Sequence, residues 1–357
     1  MFLMKHSLLH IVFCPFLFFL FLGYSVNSVA QQDTAVTQKP DSVKKGTGNI
    51  YSLSIEELLS IKVNVGSRGE DKPLFLSPTP ISVITSEDIR KTGLTDLGQV
   101  LQRLLPFINV PSPSLNDATD HSPPLFMRGL NPDQVLVLIN GKRRHITSIV
   151  HTNIVGRGST SIDFNAIPPE SVERVEVLRD GASAQYGSDA IAGIINIILK
   201  QGNESSFVSQ YGQTIKNDGA ASQATGNFGN KFDNGGFFNF TVSYRQKNST
   251  NRSGFDERLQ YFDTMYAQNQ SFIDNPTQTF RYGEAANNNY SLITNLELPF
   301  SKETSFYNTG TFNYKEGESA TFFRRPREDG NVRALYPNGF LPLLKPIIID
   351  ASEIIGY

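Results

Sequence analysis

Between Phe238 and Arg245 every second residue is apolar: Phe238, Phe240, Val242 and Tyr244 alternate with Asn239, Thr241, Ser243 and Arg245. A period of two is that of an extended strand, whose side chains point to opposite faces, so this stretch belongs to a sheet with one apolar and one polar side. The alternation recurs. Tyr290, Leu292, Thr294, Leu296 and Leu298 oppose Asn289, Ser291, Asn295 and Glu297, while Phe306, Gly310, Phe312 and Tyr314 oppose Tyr307, Thr309, Thr311 and Asn313. Weaker versions at 207–213 and 223–230 bring the expected strands to about five. A soluble sandwich and a transmembrane barrel both satisfy such a pattern. Connection lengths favour the barrel: 231–235 and 299–304 are short and 247–288 is very long, the rhythm of periplasmic turns and extracellular loops.

Upstream the pattern is that of a compact α+β domain. Ile81–Thr85 reads as a strand, Ser86 as the cap of a short helix through Arg90, and Gly93 as its end. Leu97, Val100, Leu101, Leu104 and Leu105 recur at helical spacing, so a second helix buries that stripe and stops before Pro106. Pro111–Pro124 holds four prolines with Asn116, Asp117, Asp120 and His121, a segment expected at the surface. Val135–Ile139 (VLVLI) is a strand covered on both faces and expected at the centre of its sheet; Asn140-Gly141 is the strongest short turn signal. A polar loop, 142–160, carries Arg143, Arg144, His145 and His151. Val172–Leu178 and Ile194–Leu199 complete the strands.

The N-terminus reads as delivery and reach. Lys5 and His6, an apolar run from Leu8 to Leu22, and small residues ending at Ala30 are the parts of a secretory signal, residues 1–30. Residues 31–71 form a polar tether with a short capped helix expected at Ser54–Ser60. After it Ile61, Val63 and Val65 alternate with Lys62 and Asn64. This is a strand that either adds to the edge of a partner's sheet or opens the domain that follows. The one cysteine, Cys14, lies inside the signal, which leaves no thiol chemistry to the exported chain; a net charge of -2 gives no bias toward nucleic acid. No GxSxG, HExxH or Walker pattern occurs, so no enzyme is expected, and no metal or other cofactor. His121, His145 and His151 fit no compact metal site by spacing.

In order and spacing, FMRGLNPDQVLVLING followed by IPPESVERVEVLRDGASAQYGSDAIAGIINIILK resembles the plug domain of TonB-dependent outer-membrane receptors, over most of Lys72–Lys200. Asp180-Gly181 departs from the Gly-Pro many members have there. The fold class so implied is an α+β plug domain, 72–200, followed by the truncated start of an antiparallel transmembrane β-barrel, 201–357. Plugged barrels of this kind need about 22 strands of about ten residues, far more than follow Lys200, so an N-terminal fragment is expected. The short stretch before the plug argues against an extra sensing domain, and for a ferric siderophore, another iron chelate or a cobalamin-type cargo over a glycan.

The resemblance further implies import across the outer membrane of a Gram-negative bacterium. Its partners would be the TonB energy-transducing complex, a small-molecule ligand such as a metal chelate, and outer-membrane lipid. Ile61, Val63 and Val65 would pair with TonB in the periplasm. The family's plug apices correspond to 109–126 and 143–162. Asn116, Asp117, Asp120, His121, Arg143, Arg144, His145 and His151 are therefore ligand-binding candidates, with a solvated loop as the plainer account of any one of them. Arg128 and Arg179 correspond to residues that latch plug to barrel. A surface-binding protein or adhesin without transport is the alternative.

Overall fold

The computed structural model describes residues 62–63, 72–73, 80–112, 114, 119–152 and 156–357. The signal, the helix expected at 54–60, Ile61, Val65, Asn116 and Asp117 lie outside them. Among the described residues no helix is long and apolar enough to cross a membrane, a statement that does not bear on strands.

The first pairing joins β1 (Lys62–Val63) to β2 (Lys72–Pro73), antiparallel, with Val63 buried. β3 (Ile81–Thr85) leads into α1 (Ser86–Lys91). The cap is Thr85 rather than Ser86, because its Oγ1 accepts the Asp88 N–H while the Asp88 carboxylate accepts the Thr85 N–H. α2 (Leu97–Leu104) starts at Asp96, which accepts the Gln99 N–H, and buries Leu97, Val100 and Leu101 as its spacing predicts. β4 (Ile108–Asn109) pairs with β5 (Phe126–Met127).

β6 (Val135–Ile139) turns through Asn140-Gly141 into β7 (Lys142–Arg143), and positive φ at both turn residues, 49° and 77°, gives the backbone twist a two-residue hairpin needs. β8 (Val172–Leu178) and β9 (Gly193–Leu199) complete a sheet of order β3-β8-β9-β6-β7, in which β6 and β9 run parallel. Every residue of β6 and β9 is buried, as unbroken apolar runs predict, but the middle strand is β9 and β6 stands beside it. The apolar core lies on the face carrying Val137, Val175, Ile195 and Ile197, packed under α2.

Six long strands form an antiparallel meander after the plug: β10 (Ser206–Gly212), β11 (Ala221–Lys231), β12 (Phe237–Lys247), β13 (Ala286–Pro299), β14 (Ser305–Ala320) and, past the short β15 (Leu343–Leu344), β16 (Ile347–Gly356). The last of these is not among the five strands expected from alternation. In β16 Ile347, Ile349 and Ile355 face out and Asp350 faces in, but Ile348 and Ile354 also point inward, and apolar residues on both faces hide the period of two. Elsewhere the alternation holds. Phe207, Tyr211, Phe228, Val242 and Tyr290 are exposed on one side, while Gln223, Asn227, Thr241, Asn289, Thr309 and Asn313 are buried on the other.

Candidate functional site

The polar side of the strand wall is buried because the plug lies against it. At the foot of the plug sheet, the left-handed turn at Asn140 aims its amide sideways. Its Nδ2 donates to Asn295 Oδ1 of β13 at 3.0 Å and its Oδ1 accepts the Leu199 N–H at 2.9 Å. Asn295 also donates to the Lys200 carbonyl at 3.0 Å, so the point where the chain leaves the plug is pinned to the wall.

Two buried ion pairs of opposite polarity lie between plug and wall. Arg144, just past β7, reaches Asp350 of β16 and donates to Thr311 of β14 at 2.7 Å; His145 Nε2 lies 3.0 Å from the other Asp350 oxygen. Lys315, inward on β14, pairs with the plug's Asp163 and donates to the His121 carbonyl at 2.9 Å. Lys315 and Asp163 are 1% and 3% exposed, so each charge depends on the other. Farther along the seam Arg245 of β12 donates to the Thr95 carbonyl at 3.0 Å and lies 3.8 Å from Asp96. Gln223 of β11 donates to both oxygens of Glu170, whose carboxyl burial pushes above its usual range.

The expectation that 111–124 lies at the surface is corrected here. Thr119, His121 and Ser122 are buried, His121 against the wall. The inward row Lys315, Gly317, Ser319 receives this turn: Lys315 takes the His121 carbonyl, Ser319 Oγ lies 3.2 Å from His121 Nε2, and the imidazole lies directly on Gly317. Polarity alone places such a loop in water, but a polar wall also offers partners, although Thr119 Oγ1, His121 Nδ1 and Ser122 Oγ find none among the described residues. Burial pushes the Asp120 carboxyl up to about 6, and burial together with nearby Lys315 pushes His121 down to about 4.

The ligand-binding candidates therefore divide. His121, Arg144 and His151 are buried, the last with Nε2 3.0 Å from Ser161 Oγ and its basicity lowered by burial. Asp120 is almost wholly enclosed, its side chain 3% exposed. His145 is half exposed, and Arg143 is exposed and paired with Asp189 of the plug itself. Arg128 and Arg179 are exposed and adjacent. Arg128, at φ 55° in a tight turn with Gly129, donates to the Arg179 carbonyl at 2.7 Å, and the Arg179 guanidinium lies 5.6 Å from the Phe107 ring centroid. Among the described residues no hydrogen bond or ion pair joins either to the wall, whereas Asn140, Arg144 and Asp163 are so joined. The charges that answer them, Lys315 and Asp350, carried a sequence signal as lone ions at inward strand positions, but their partners lie too far away in the chain to be read from spacing.

The family model "TonB-dependent Receptor Plug Domain" matches residues 73–194. The ferric enterobactin receptor PirA of Pseudomonas aeruginosa is 38% identical over 122 residues, 34% of this chain and 16% of that protein. The vitamin B12 transporter BtuB of Vibrio vulnificus is 30% identical over 248 residues, 68% of this chain and 34% of its own length. The chain thus spans about a third or less of these relatives. Among solved structures, the ferric enterobactin receptor PfeA of Pseudomonas aeruginosa superposes with a TM-score of 0.53 at 20% identity, over 77% of this chain and 38% of that one, a likeness of fold. With its plug seated on the polar face of an antiparallel wall, and with these relatives, the chain carries a TonB-dependent receptor plug domain.

Proposed function

We propose that this chain is the plug and first wall strands of an outer-membrane importer that takes up a scarce ligand, of the iron-siderophore class, at the expense of TonB. The observation that carries the reading is the seam itself. A folded plug is held by buried polar and ionic contacts against strands whose outer face is apolar, so the plug is removable in a way an apolar core is not. Polar contacts can be exchanged for water when the plug shifts, whereas exposing an equal apolar area costs about 25 cal/mol per Å². The chain is a receptor in this reading, not a catalyst. Long connections at 248–285 and 321–342 lie on the outside, and the β1 segment faces the periplasm, where Ile61, Val63 and Val65 offer a strand to TonB once the pairing of Val63 with Lys72 is released.

Cysteines placed singly at Ile61, Val63 and Val65 test this in cells. They are expected to form disulfides with cysteines in TonB, more so when a ferric catechol siderophore is supplied. Absence of crosslinks under every ligand condition would leave the surface-binding alternative standing.

A further inference from the structure

Near the long-loop end of the seam, between plug and wall, lies a cavity of about 240 Å³. Asp96, Asp120 and Asn165 line it from the plug, and Arg245, Lys247, Glu284 and Asn287 from the wall and the base of the long loop. Among the described residues, two of its three carboxylates have a cation of their own: Arg245 lies 3.8 Å from Asp96, and Lys247 lies 2.8 Å from Glu284. Asp120 does not. Its side chain is 3% exposed; Ser319 and the backbone N–H groups of Asp120 and His121 bond its carboxyl, but among the described residues its Oδ1 has no partner, and the nearest base is His121 at 3.6 Å, which burial keeps uncharged. Arg281, the other cation acting on it, gives its Nη1 to Glu318 at 2.9 Å and leaves its Nη2 buried without an acceptor.

Among the described residues, two more buried oxygens on the same lining, Asn165 Oδ1 and Asn287 Oδ1, also lack a donor, against a single lining donor without an acceptor, Arg245 Nε. A buried acceptor left without a donor is costly, so three around one cavity favour an occupant rich in donors. A cavity of 240 Å³ admits a small organic ion, since water takes up about 30 Å³ in the liquid. A metal ion fits poorly. Among the described residues no group of three His, Cys, Asp or Glu side chains could hold one, and one carboxylate with two amides is a weak cage.

We propose that this cavity binds a small organic cation through its N–H donors, a primary ammonium group, with Asp120 supplying the charge and Asn165 and Asn287 the further acceptors. Lys247 and Glu284, each partly exposed, stand at its rim. The site needs only the plug seated on the wall and does not rest on the transport reading.

The test is calorimetric titration of the full chain in detergent with methylammonium chloride, against tetramethylammonium chloride, which has the same charge and no donor. Methylammonium is expected to bind saturably and at least about tenfold tighter than its tetramethyl analogue, as a hydrogen bond to a charged group implies. Asp120→Asn should abolish the preference, and Asn287→Asp, which adds a charge to the same lining, should strengthen binding. Because burial holds the Asp120 carboxyl near 6, binding should weaken as pH falls through that value. Equal affinity for the two ions, tighter binding of calcium than of methylammonium, or an Asp120→Asn chain that binds as the parent does would overturn the proposal.

Discussion

Removing the charge of Lys315 is the sharpest perturbation of the seam. Lys315→Met keeps the length of the side chain but leaves Asp163 as a buried carboxylate without its cation and the His121 carbonyl without its donor. Breaking one side of a buried ion pair costs about 3–5 kcal/mol, because the remaining charge stays desolvated. Asp163→Asn removes the opposite charge while keeping an oxygen to accept the Asn165 N–H, now at 3.0 Å, so its cost isolates the stranded ammonium. Each single variant should lose about 3–5 kcal/mol in urea unfolding of the full chain in detergent. The double variant should lose several kcal/mol less than the sum, since it buries no lone charge. Amide exchange should rise at Ser122 and Asn165 in both singles. Losses under about 1 kcal/mol, or a double variant that is simply additive, would refute the argument that this pair fastens plug to wall.

A methyl group on Gly317 would sit 2.3 Å from the His121 ring, so Gly317→Ala should cost about 1–3 kcal/mol, and adding His121→Ala should recover part of it; unfolding midpoints of the three chains check this. Asp120 and His121 should give stability slopes of opposite sign with pH. The raised Asp120 carboxyl favours the fold below its ordinary 3.8 and loses that favour as pH rises to about 6, whereas the lowered His121 favours it above 6.5 and loses that favour as pH falls to about 4. Asp120→Asn should therefore uncover a stability that falls with acid, and His121→Gln one that rises with acid between pH 6 and 4. Each slope should approach about 1.4 kcal/mol per pH, the value for one proton bound or released on unfolding, and melting across pH 4–7 reads both. Val242→Arg, on the exposed apolar face, should cost about 2–4 kcal/mol in lipid vesicles if that face meets the bilayer core, and an unchanged stability there would argue against a lipid-facing wall.

Much of the architecture was legible locally because local rules enforce it. Alternation at 238–245 demands a two-faced strand, the Asn140-Gly141 pair demands a tight hairpin turn, and the stripe Leu97–Leu101 demands a helix packed on a sheet; all three stand in the structure. β16 escaped because Ile348 and Ile354 blur its two faces, and only pairing with β14 resolves them.

The candidate site was less legible. By itself the sequence determined two kinds of surface, a plug with polar loops and strands with a polar side, because period and composition are properties of neighbouring residues. Whether those polar surfaces face water or each other is decided by contacts across more than a hundred residues, such as Asp163 with Lys315 and Arg144 with Asp350. Only the tertiary structure could bury His121 under β14 and leave Arg128 exposed, since the burial of a polar group depends on the partner that satisfies it and not on the group alone.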